Sequence, residues 1–455
     1  MARVGLCHYK VGGTDGVSLE MDKWKAALER LGHQAVLCGG DLGTAEGYQI
    51  EELYHHRPDT ERIRLNAFKA LEDWSEGELV REILALADRI EEKLSEFVDR
   101  CSIDVLVPNN IWSLDGNLAA AIAFSRVVRA NGIPAVGHHH DFFWEWFRGN
   151  RPSCQAISRL AEEVLPPKGG GIKHLVINKI AQGQLQRRRG LPAQVVPNVF
   201  DFSSPRWEVD DYSRDFRDRI GVDERDVLVL QATRVVTRKG IELAIDLVAE
   251  LSQSRYLSQL RRAGLYDGRP FGPRSRIVLV LAGYSEDPSG EYLDRLKRKA
   301  EAAGIEIRYV SELVRAKRTY EDGEKRYSLW DCYAHADLVT YPSYWEGWGN
   351  QFLEAVFARL PLVMFEYPVY KTDIKGKGFR VISLGDRIAG RDEQGLVKVE
   401  KEVLRRAAQG AVRALTDPGE RQRMVEHNFR LGQEHYSLES LEECITRALG
   451  DYLGS

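Results

Sequence analysis

The stretch YPSYWEGWGNQFLEAV, residues 341–356, contains the pattern that decides the fold. It starts at the end of an apolar, β-rich run, LVTYP (338–342), and passes through a Gly-Trp-Gly turn at 347–349. Beyond Asn350, apolar residues recur at the spacing of one helix face, at Phe352, Leu353, Val356 and Phe357. A strand that leads through a glycine-rich turn into a helix is the repeating unit of α/β proteins, so we expect that fold class.

The same turn carries two candidate ligand residues, Glu346 in the loop and Glu354 about one turn inside the helix. A glycine-rich turn before a helix presents unpaired amide groups and partial positive charge, which suits a phosphate. Two carboxylates beside such a site would repel the anion unless they face neutral hydroxyl groups. We therefore expect both glutamates to bind sugar hydroxyl groups. The competing interpretation is that both are solvated surface residues.

Alternating strand and helix patterns continue along most of the chain in two series. The first series of strands is RVGLCHY, QAVLC, DVLVP, IPAVGHH and HLVI, and the second is VLVLQ, IVLVLAG, IEIRYV, LVTYP and PLVMF. These runs are apolar on both faces, as expected of parallel strands covered by helices. Between the two series, residues 196–215 are rich in Pro, Ser and Asp, which indicates a linker.

This pattern predicts two doubly wound, Rossmann-like domains. We assign residues 1–200 to the first domain, 201–435 to the second and 436–455 to a final amphipathic helix. Ligands of such sheets bind at the carboxyl ends of the strands, so two facing domains would share a central cleft. The segment 252–276 is longer than a usual connection and is predicted to be a surface elaboration.

The composition limits the partners and the compartment. The chain has 455 residues, 43% of them hydrophobic, and a net charge of -4, so nothing in the totals indicates a nucleic-acid partner. Its apolar runs are far shorter than the ~20 residues of a membrane span, so no transmembrane segment is predicted. The six cysteines form no C-x-x-C pair, which fits reduced thiols and a cytoplasmic location better than disulfides or a zinc site.

Cations are expected at the end of the first strand of the second domain, within ATRVVTRKG (232–240). Arg234 and Lys239 leave the carboxyl end of that strand and could bind a diphosphate, Arg as a planar fork and Lys as a point charge. Arg238 is an alternative to Arg234. The competing interpretation is a solvated basic loop.

Together these residues resemble a known family. R-x4-K-G (Arg234, Lys239, Gly240) followed by E-G-x-G-x4-E (Glu346, Gly347, Gly349, Glu354) is similar to the retaining nucleotide-sugar glycosyltransferases of family 4, which have the GT-B fold. Other motifs in family order are GG at 12–13, P-x5-H-D ending at His140 and Asp141, VPN-x2-D at 196–201, AD-x4-PS at 336–343 and Y-S-L-E-S-L at 436–441. The resemblance covers most of the chain and implies that the last helix crosses back to the first domain.

The resemblance also implies how the donor is bound. The sugar hydroxyl groups would contact Glu346 and the amides of the turn, and the ribose would contact Glu354. The residues implied at the donor are Gly12, Gly13, Arg234, Lys239, Glu346, Gly347, Trp348, Gly349, Asn350 and Glu354. Arg234 and Lys239 would neutralise the departing diphosphate, a form of stabilisation that requires no metal or other cofactor.

The stretch GHHHDFFWEWFRGNRPSC (137–154) forms the other dense group. Alternation along a strand sends His138 and His140 to one face and His139 to the other. Because adjacent strand positions diverge and no D-x-D motif is present, a metal site is the weaker interpretation. The resemblance implies that His140 lies at the reaction centre, and we expect His138 and His139 to be hydrogen-bonded to backbone. The predicted catalytic residues are thus His140, Glu346, Arg234 and Lys239.

Acceptor contacts are expected from the first domain. The candidates are Thr14 and Asp15 after the GG turn, Asp141, Trp144 from the aromatic block, and Arg148. An aromatic ring could stack on a sugar, and Arg148 or Arg151 could bind a carboxylate or phosphate on the acceptor.

The predicted function is metal-independent transfer of a hexosyl unit, with retention of configuration, from a nucleotide diphosphate sugar to a hydroxyl group. We expect a small polar acceptor such as a compatible-solute precursor, with a glycan as the other option. The alternative is a sugar-binding protein that keeps the fold without turnover. An oxidoreductase would need G-x-G-x-x-G after the first strand, and KVGGTDG has the wrong spacing. Asn350 and EYPVYKTDI (366–374) depart from the family pattern beside the donor pocket.

Overall fold

The computed structural model describes residues 1–13, 15–145, 149–287 and 289–453. The chain forms two compact units, Met1–Val199 with Ser437–Ser455, and Phe200–Tyr436. Each unit is built around a parallel sheet with helices packed on its faces.

In the first unit the sheet has the strand order β3-β2-β1-β4-β5-β6-β7, with parallel pairing throughout. Its strands are β1 (Arg3–Lys10), β2 (Gln34–Asp41), β3 (Tyr48–Gln49), β4 (Val105–Pro108), β5 (Ala135–His139), β6 (Ile172–Val176) and β7 (Gln194–Val195). The helices are α1 (Gly16–Arg30), α2 (Pro58–Phe68), α3 (Glu76–Cys101), α4 (Leu118–Asn131), α5 (Gln155–Val164) and α6 (Lys179–Arg189).

The central strands are buried on both faces because helices cover both sides of the sheet. Helix α3 shows how local sequence produces one of these covers. Ser75 and Glu78 form a capping box at its start, and its apolar residues recur every three or four positions. That stripe, which includes Leu79, Ile83, Leu86, Ile90 and Leu94, is buried in the core of the unit.

The second unit has the strand order β10-β9-β8-β14-β15-β16, also parallel. These strands are β8 (Val227–Gln231), β9 (Ile277–Leu281), β10 (Ile307–Tyr309), β14 (Leu338–Tyr341), β15 (Leu362–Met364) and β16 (Ile382–Ser383). Smaller sheets join β11 (Val314–Arg315), β12 (Thr319–Glu321) and β13 (Glu324–Ser328), and β17 (Gly390–Arg391) with β18 (Val397–Lys398). The helices are α7 (Phe216–Arg219), α8 (Ile241–Leu251), α9 (Ser254–Ala263), α10 (Glu291–Ala302), α11 (Leu329–Ala334), α12 (Asn350–Phe357), α13 (Lys401–Thr416) and α14 (Pro418–Tyr436).

Segment 252–276 lies largely at the surface, as its length predicts, but it is anchored in the core of the second unit. It contains α9, and four of its side chains, Tyr256, Leu260, Leu265 and Phe271, are buried in the core of the second unit. Its polar residues are also held, because the Tyr266 hydroxyl and the Arg269 guanidinium both donate to the carboxylate of Asp337. Alternating apolar and charged residues concealed this packing in the sequence.

The last helix, α15 (Leu438–Leu453), lies in the first unit. Its buried side, which includes Leu441, Ile445 and Leu449, shares a hydrophobic cluster with Trp24 and Leu28 of α1. The chain thus crosses back after α14, as the GT-B pattern implies. No helix within the described ranges is both long and apolar enough to cross a membrane.

Candidate active site

The loop after β8 delivers Lys239 to the end of β14. A single helical turn over Thr237–Lys239 precedes Gly240, whose φ of 59° lies in the left-handed region. A Cβ at position 240 would come within 2.5 Å of the carbonyl oxygen of Pro342. Glycine is therefore required both by the backbone conformation and by the close approach of the two strand ends.

Lys239 forms a buried ionic cluster with Glu346 and Arg238. The Lys239 Nζ donates to Glu346 Oε1 at 2.5 Å and Arg238 Nη1 donates to Glu346 Oε2 at 2.9 Å. Lys239 is 3% exposed and Glu346 is 6% exposed. Burial disfavours ionisation of this carboxyl group, but Lys239 and Arg238 outweigh it and hold the pKa of Glu346 at about 2. The cluster has two cations and one anion, and therefore a surplus positive charge.

Glu346 is therefore not the bare carboxylate that the sequence suggests. Each of its oxygens accepts from one cation, yet a carboxylate oxygen has a second lone pair and can also accept a sugar hydroxyl group. Glu346 consequently orients Lys239 and Arg238 while keeping capacity for a ligand.

Arg234 does not join this cluster. Its guanidinium pairs with Glu286, and both side chains are more than a third exposed. The structure thus brings Arg238, the alternative in the sequence analysis, to Glu346, and leaves Arg234 at the surface of the same loop. Sequence spacing could not distinguish the two arginines because both lie in one irregular loop.

The Gly-Trp-Gly turn is shaped by tyrosines behind it. Gly349 precedes α12 with a φ of 119°, and a Cβ there would overlap the hydroxyl groups of Tyr367 and Tyr341. The Tyr367 hydroxyl donates to the carbonyl oxygen of Trp348 at 2.7 Å. The Trp348 side chain is itself buried against Tyr436, with ring centroids 4.8 Å apart. Its indole therefore belongs to the core, and only the backbone of this residue is suited to contact a ligand.

Glu354 is buried on α12, and the Tyr333 hydroxyl donates to its Oε2 at 2.8 Å. Burial, followed by the charge of Glu354, raises the pKa of Tyr333 well above its usual value, so the phenol keeps its proton. Tyr333 lies on α11, far from Glu354 in sequence, and the sequence analysis did not identify it. The motif AD-x4-PS begins three residues later and could have directed attention to it.

In the first unit, His140 is held by two asparagines that the sequence analysis missed. Asn110 Oδ1 accepts from the backbone N–H of His140 at 2.8 Å, and Asn109 Oδ1 lies 3.3 Å from His140 Nε2. Burial, with His8 nearby, lowers the pKa of His140 to about 3, so the imidazole is neutral. Two amides directly after strand DVLVP were the available signal, because polar side chains at a strand's carboxyl end face the ligand edge of a parallel sheet.

His138 and His139 are buried but bind side chains, not backbone as predicted. His138 Nδ1 lies 3.0 Å from Asn109 Oδ1, and His139 Nε2 lies 3.0 Å from His174 Nδ1. The rings of His138 and His140 are 4.3 Å apart, whereas His139 stacks on His174. The alternation predicted for this strand is therefore confirmed.

The GG turn after β1 is tightly packed. Gly12 has a φ of 66°, and a Cβ there would meet the backbone of Leu42 and the side chain of Ala45. Asp15 caps α1, since its Oδ1 accepts from the N–H groups of Val17 and Ser18 at 3.1 Å. Its carboxylate is thus committed to the helix end, and Gly13 lies beside it. Thr14 and Arg148 lie outside the described residues.

The remaining acceptor candidates are fixed by neighbours. The N–H of Asp141 donates to Asn110 Oδ1 at 3.3 Å. Trp144 stacks on Phe142 with centroids 4.4 Å apart, and its Nε1 donates to Gln184 at 3.1 Å. Within the described ranges, no group of three or more His, Cys, Asp or Glu residues is arranged to hold a metal ion.

The fold matches that of solved glycosyltransferases. A glycosyltransferase from Rickettsia africae ESF-5 superposes with a TM-score of 0.61, covering 100% of this chain and 99% of that chain at 11% sequence identity. Two Rossmann-like units with parallel sheets, and a last helix that returns to the first unit, define the GT-B fold.

Sequence comparison narrows this class to a family. Residues 213–379 match the family described as Glycosyl transferases group 1. The mannosylglucosylglycerate synthase of Petrotoga mobilis is 40% identical over 437 residues, which are 96% of this chain and 98% of that protein. The mannosylglucosylglycerate synthase of Thermotoga maritima is 39% identical over 447 residues, 98% and 99% of the two chains. The chain belongs to the glycosyltransferase family of these synthases.

Proposed function

We propose that this protein transfers a mannosyl unit from a nucleotide diphosphate sugar to a hydroxyl group of glucosylglycerate, with the anomeric configuration retained as in family 4. Two relatives aligned over nearly the whole chain carry the name mannosylglucosylglycerate synthase. The observation that carries the proposal is the buried cluster of Lys239, Arg238 and Glu346, since its surplus positive charge lies at a strand end where a diphosphate can be bound. The free cysteines support a cytoplasmic site of reaction.

Most of the donor contacts would come from the second unit's loops and α12. Lys239 and Arg238 contact the diphosphate, with Arg234 at the outer edge of the same loop. The backbone of residues 347–350 and the free lone pairs of Glu346 contact the sugar hydroxyl groups. Glu354, oriented by Tyr333, accepts from the ribose hydroxyl groups.

The reaction needs only these groups. The bond between the anomeric carbon and the diphosphate oxygen breaks, and the acceptor oxygen bonds to that carbon from the same face. The departing diphosphate takes the proton of the acceptor hydroxyl group. Charge develops on the leaving group, where preorganised cations stabilise it most, and this route requires no metal. Neutral His140 would hydrogen-bond to the donor sugar beside the reacting carbon.

The acceptor would be bound by the first unit, with Asp141 and Trp144 as contacts. Gly12 and Gly13 of the same unit would lie close to the donor phosphates. The Asp15 carboxylate already caps α1, so Asp15 would contribute indirectly, by fixing the backbone at the end of the GG turn. The competing function, a sugar-binding protein without turnover, shares all of these contacts and differs only in the absence of transfer.

Transfer is tested by incubating the protein with nucleotide diphosphate mannoses of different bases and glucosylglycerate, with and without EDTA. We expect release of nucleoside diphosphate and a product whose one-bond carbon–proton coupling at the anomeric carbon indicates the same anomeric configuration as the donor. Lys239→Ala should lower the rate by at least about 100-fold, because a leaving-group contact of this kind is worth roughly 3 kcal/mol. Lys297→Ala, on exposed α10, is the matched control. Donor binding without release across all acceptors would favour the sugar-binding alternative.

A further inference from the structure

The first unit contains a cavity of about 440 Å³ that the donor and His140 contacts do not use. It lies against α5 and α6, and its lining includes Phe143, Trp144, Arg151, Arg188 and Arg189. This volume is within the range of small-molecule sites. Glu162 is the acidic residue of the lining, so three guanidinium groups face one carboxylate.

Arg189 is the innermost of these cations and is only 9% exposed. Its Nη2 donates to the carbonyl oxygens of Glu162 and Pro166, and its Nε has no partner among the described residues. Burial lowers the pKa of Arg189, with the charge of Glu162 acting in the opposite direction. A buried guanidinium held by carbonyl groups, with one N–H left over, lacks the carboxylate partner that such groups normally have.

Arg151 and Arg188 add exposed cations at the mouth of the cavity. In the part of the chain that the structure describes, neither forms an ion pair with a carboxylate. Arg188 lies with its guanidinium carbon 5.6 Å from the ring centroid of Trp144. Both side chains are therefore free to bind an anion bidentately.

Trp144 connects this cavity to the strand that carries His140. Its ring stacks on Phe142 and its Nε1 donates to Gln184. The ring centroids of Phe142 and His139 are 5.5 Å apart. A fixed aromatic face next to cations suits a ligand with a sugar ring and an acidic group. Glucosylglycerate has that chemistry, with a glucosyl ring at one end and a carboxylate at the other.

We propose that this cavity is the specificity site for the acceptor's anionic end: Arg151, Arg188 and Arg189 bind the carboxylate, and Trp144 packs against the sugar. The inference rests on the proposed function, because it takes glucosylglycerate as the acceptor. The same chemistry would bind a phosphate group, so the experiment compares the two anions.

The kinetic experiment uses Arg151→Ala, Arg188→Ala and the double variant. Both arginines are exposed, so we expect all three variants to fold. Arg187→Ala is the matched control, since it is exposed on the same helix, removes the same charge and lies outside the cavity lining. Acceptors are glucosylglycerate and its uncharged methyl ester. We expect each single variant to raise the KM for glucosylglycerate about 10-fold, with the donor KM and the ester KM unchanged. The proposal would be overturned if the ratio of the KM for glucosylglycerate to the KM for its methyl ester were the same in the wild type and in the variants.

The binding arm uses the protein without donor and measures the thermal midpoint with D-glycerate, glucosylglycerate and inorganic phosphate. The anion site is supported if glucosylglycerate or D-glycerate raises the thermal midpoint of the wild type and of Arg187→Ala but not that of Arg188→Ala. This result does not require that transfer be detected, so it separates this proposal from the proposed function. Transfer with wild-type kinetics in both arginine variants overturns the site and leaves the proposed function intact. A response to phosphate alone would reassign the cavity to a phosphorylated ligand and overturn the acceptor assignment.

Discussion

At the scale of single residues, the main feature is that Glu346 serves two cations. Burial of the Lys239 charge is less unfavourable with a carboxylate partner than without one, and removal of Glu346 would leave that charge uncompensated. The Glu346 carboxylate is thus an electrostatic support for Lys239 and Arg238.

The pairing of Lys239 with Glu346 can be tested by a double-mutant cycle. Glu346→Gln should lower the free energy of unfolding by about 3 kcal/mol, because it leaves Lys239 buried without a carboxylate, and Lys239→Met should lower it by less, because Arg238 still pairs with Glu346. The double variant should lose clearly less than the sum of the two. Urea unfolding monitored by tryptophan fluorescence provides the midpoints. Additive losses would show that the two groups do not interact.

Tyr333 is predicted to control nucleotide affinity through Glu354. Tyr333→Phe removes the hydroxyl that donates to Glu354 Oε2 and leaves the ring packing unchanged. We expect the donor KM to rise about 5- to 10-fold with kcat nearly constant, since one hydrogen bond to a charged group is worth roughly 1.5 kcal/mol. Steady-state kinetics at saturating acceptor measure this effect. Tyr320→Phe, an exposed tyrosine of the same unit, should match wild type.

At the scale of elements, the unit formed by β14, the Gly-Trp-Gly turn and α12 shows how aromatic packing shapes a ligand loop. The tyrosines behind the turn, Tyr341 and Tyr367, leave no room for a side chain at Gly349. Tyr367 lies in the stretch 366–374, which departs from the family pattern. The conformation of the turn in this protein therefore depends on a residue from that stretch.

Gly349→Ala should therefore distort the turn. The substitution introduces a Cβ against two hydroxyl groups and at a φ of 119°, and we expect donor affinity to fall at least about 10-fold with a lower thermal midpoint. Adding Tyr367→Phe removes one of the opposing hydroxyl groups and should restore part of the midpoint. Gly304→Ala, which has open space around it, controls for glycine replacement at positive φ. If the two glycine variants behave alike, the tyrosine packing is not the cause.

The connection between α9 and β9 is a second element whose role depends on packing. Asp337 accepts from Arg217, Tyr266 and Arg269, and so joins that connection to the start of β14. Asp337→Asn should lower the free energy of unfolding by about 3 kcal/mol, because the buried Arg217 guanidinium loses its carboxylate partner while Arg269 keeps Asp267. Chemical denaturation measures the loss. Asp211→Asn, which breaks an exposed pair with Arg214, should change stability by less than about 0.5 kcal/mol.

At the scale of the whole molecule, stability depends on neutral buried imidazoles in the first unit. Burial is the largest cause that lowers the pKa of His8, His55, His138, His139, His140 and His174. The pKa falls to about 4 for His55 and His174 and to about 3 for His140. The unfolded chain binds protons at these sites near pH 6.5, where the folded chain does not.

Stability should consequently be complete above pH 6.5 and should decrease as the pH falls from 6.5 toward about 3. Thermal unfolding should give a constant midpoint between about pH 8 and pH 7 and a falling midpoint from about pH 6.5 to pH 5, above the range in which ordinary carboxylates are protonated. His139→Gln removes one buried imidazole and should reduce the slope of the thermal midpoint against pH. A midpoint independent of pH over this range would contradict the assignment of neutral imidazoles.

Local sequence was sufficient for the parts of the site that lie within one strand, turn and helix. The helix start at Asn350, the opposite faces of His138 and His139, and the two parallel sheets follow from apolar periodicity and glycine placement alone. The contact of Arg238 with Glu346 and the hydrogen bonds from Tyr333, Asn109 and Asn110 could not be predicted, because each joins separate segments of the chain.

The sequence by itself determined the α/β class, the two parallel sheets and the order of the ligand-binding motifs, because periodicity and turn residues act over a few positions. The tertiary structure decided which charges are paired and which are left over. That decision depends on burial and on distances of a few ångströms between residues about 100 positions apart, as for Lys239 and Glu346. Among the residues that the structure describes, it left the Arg189 guanidinium without an ion pair to a carboxylate, which an anionic ligand can supply.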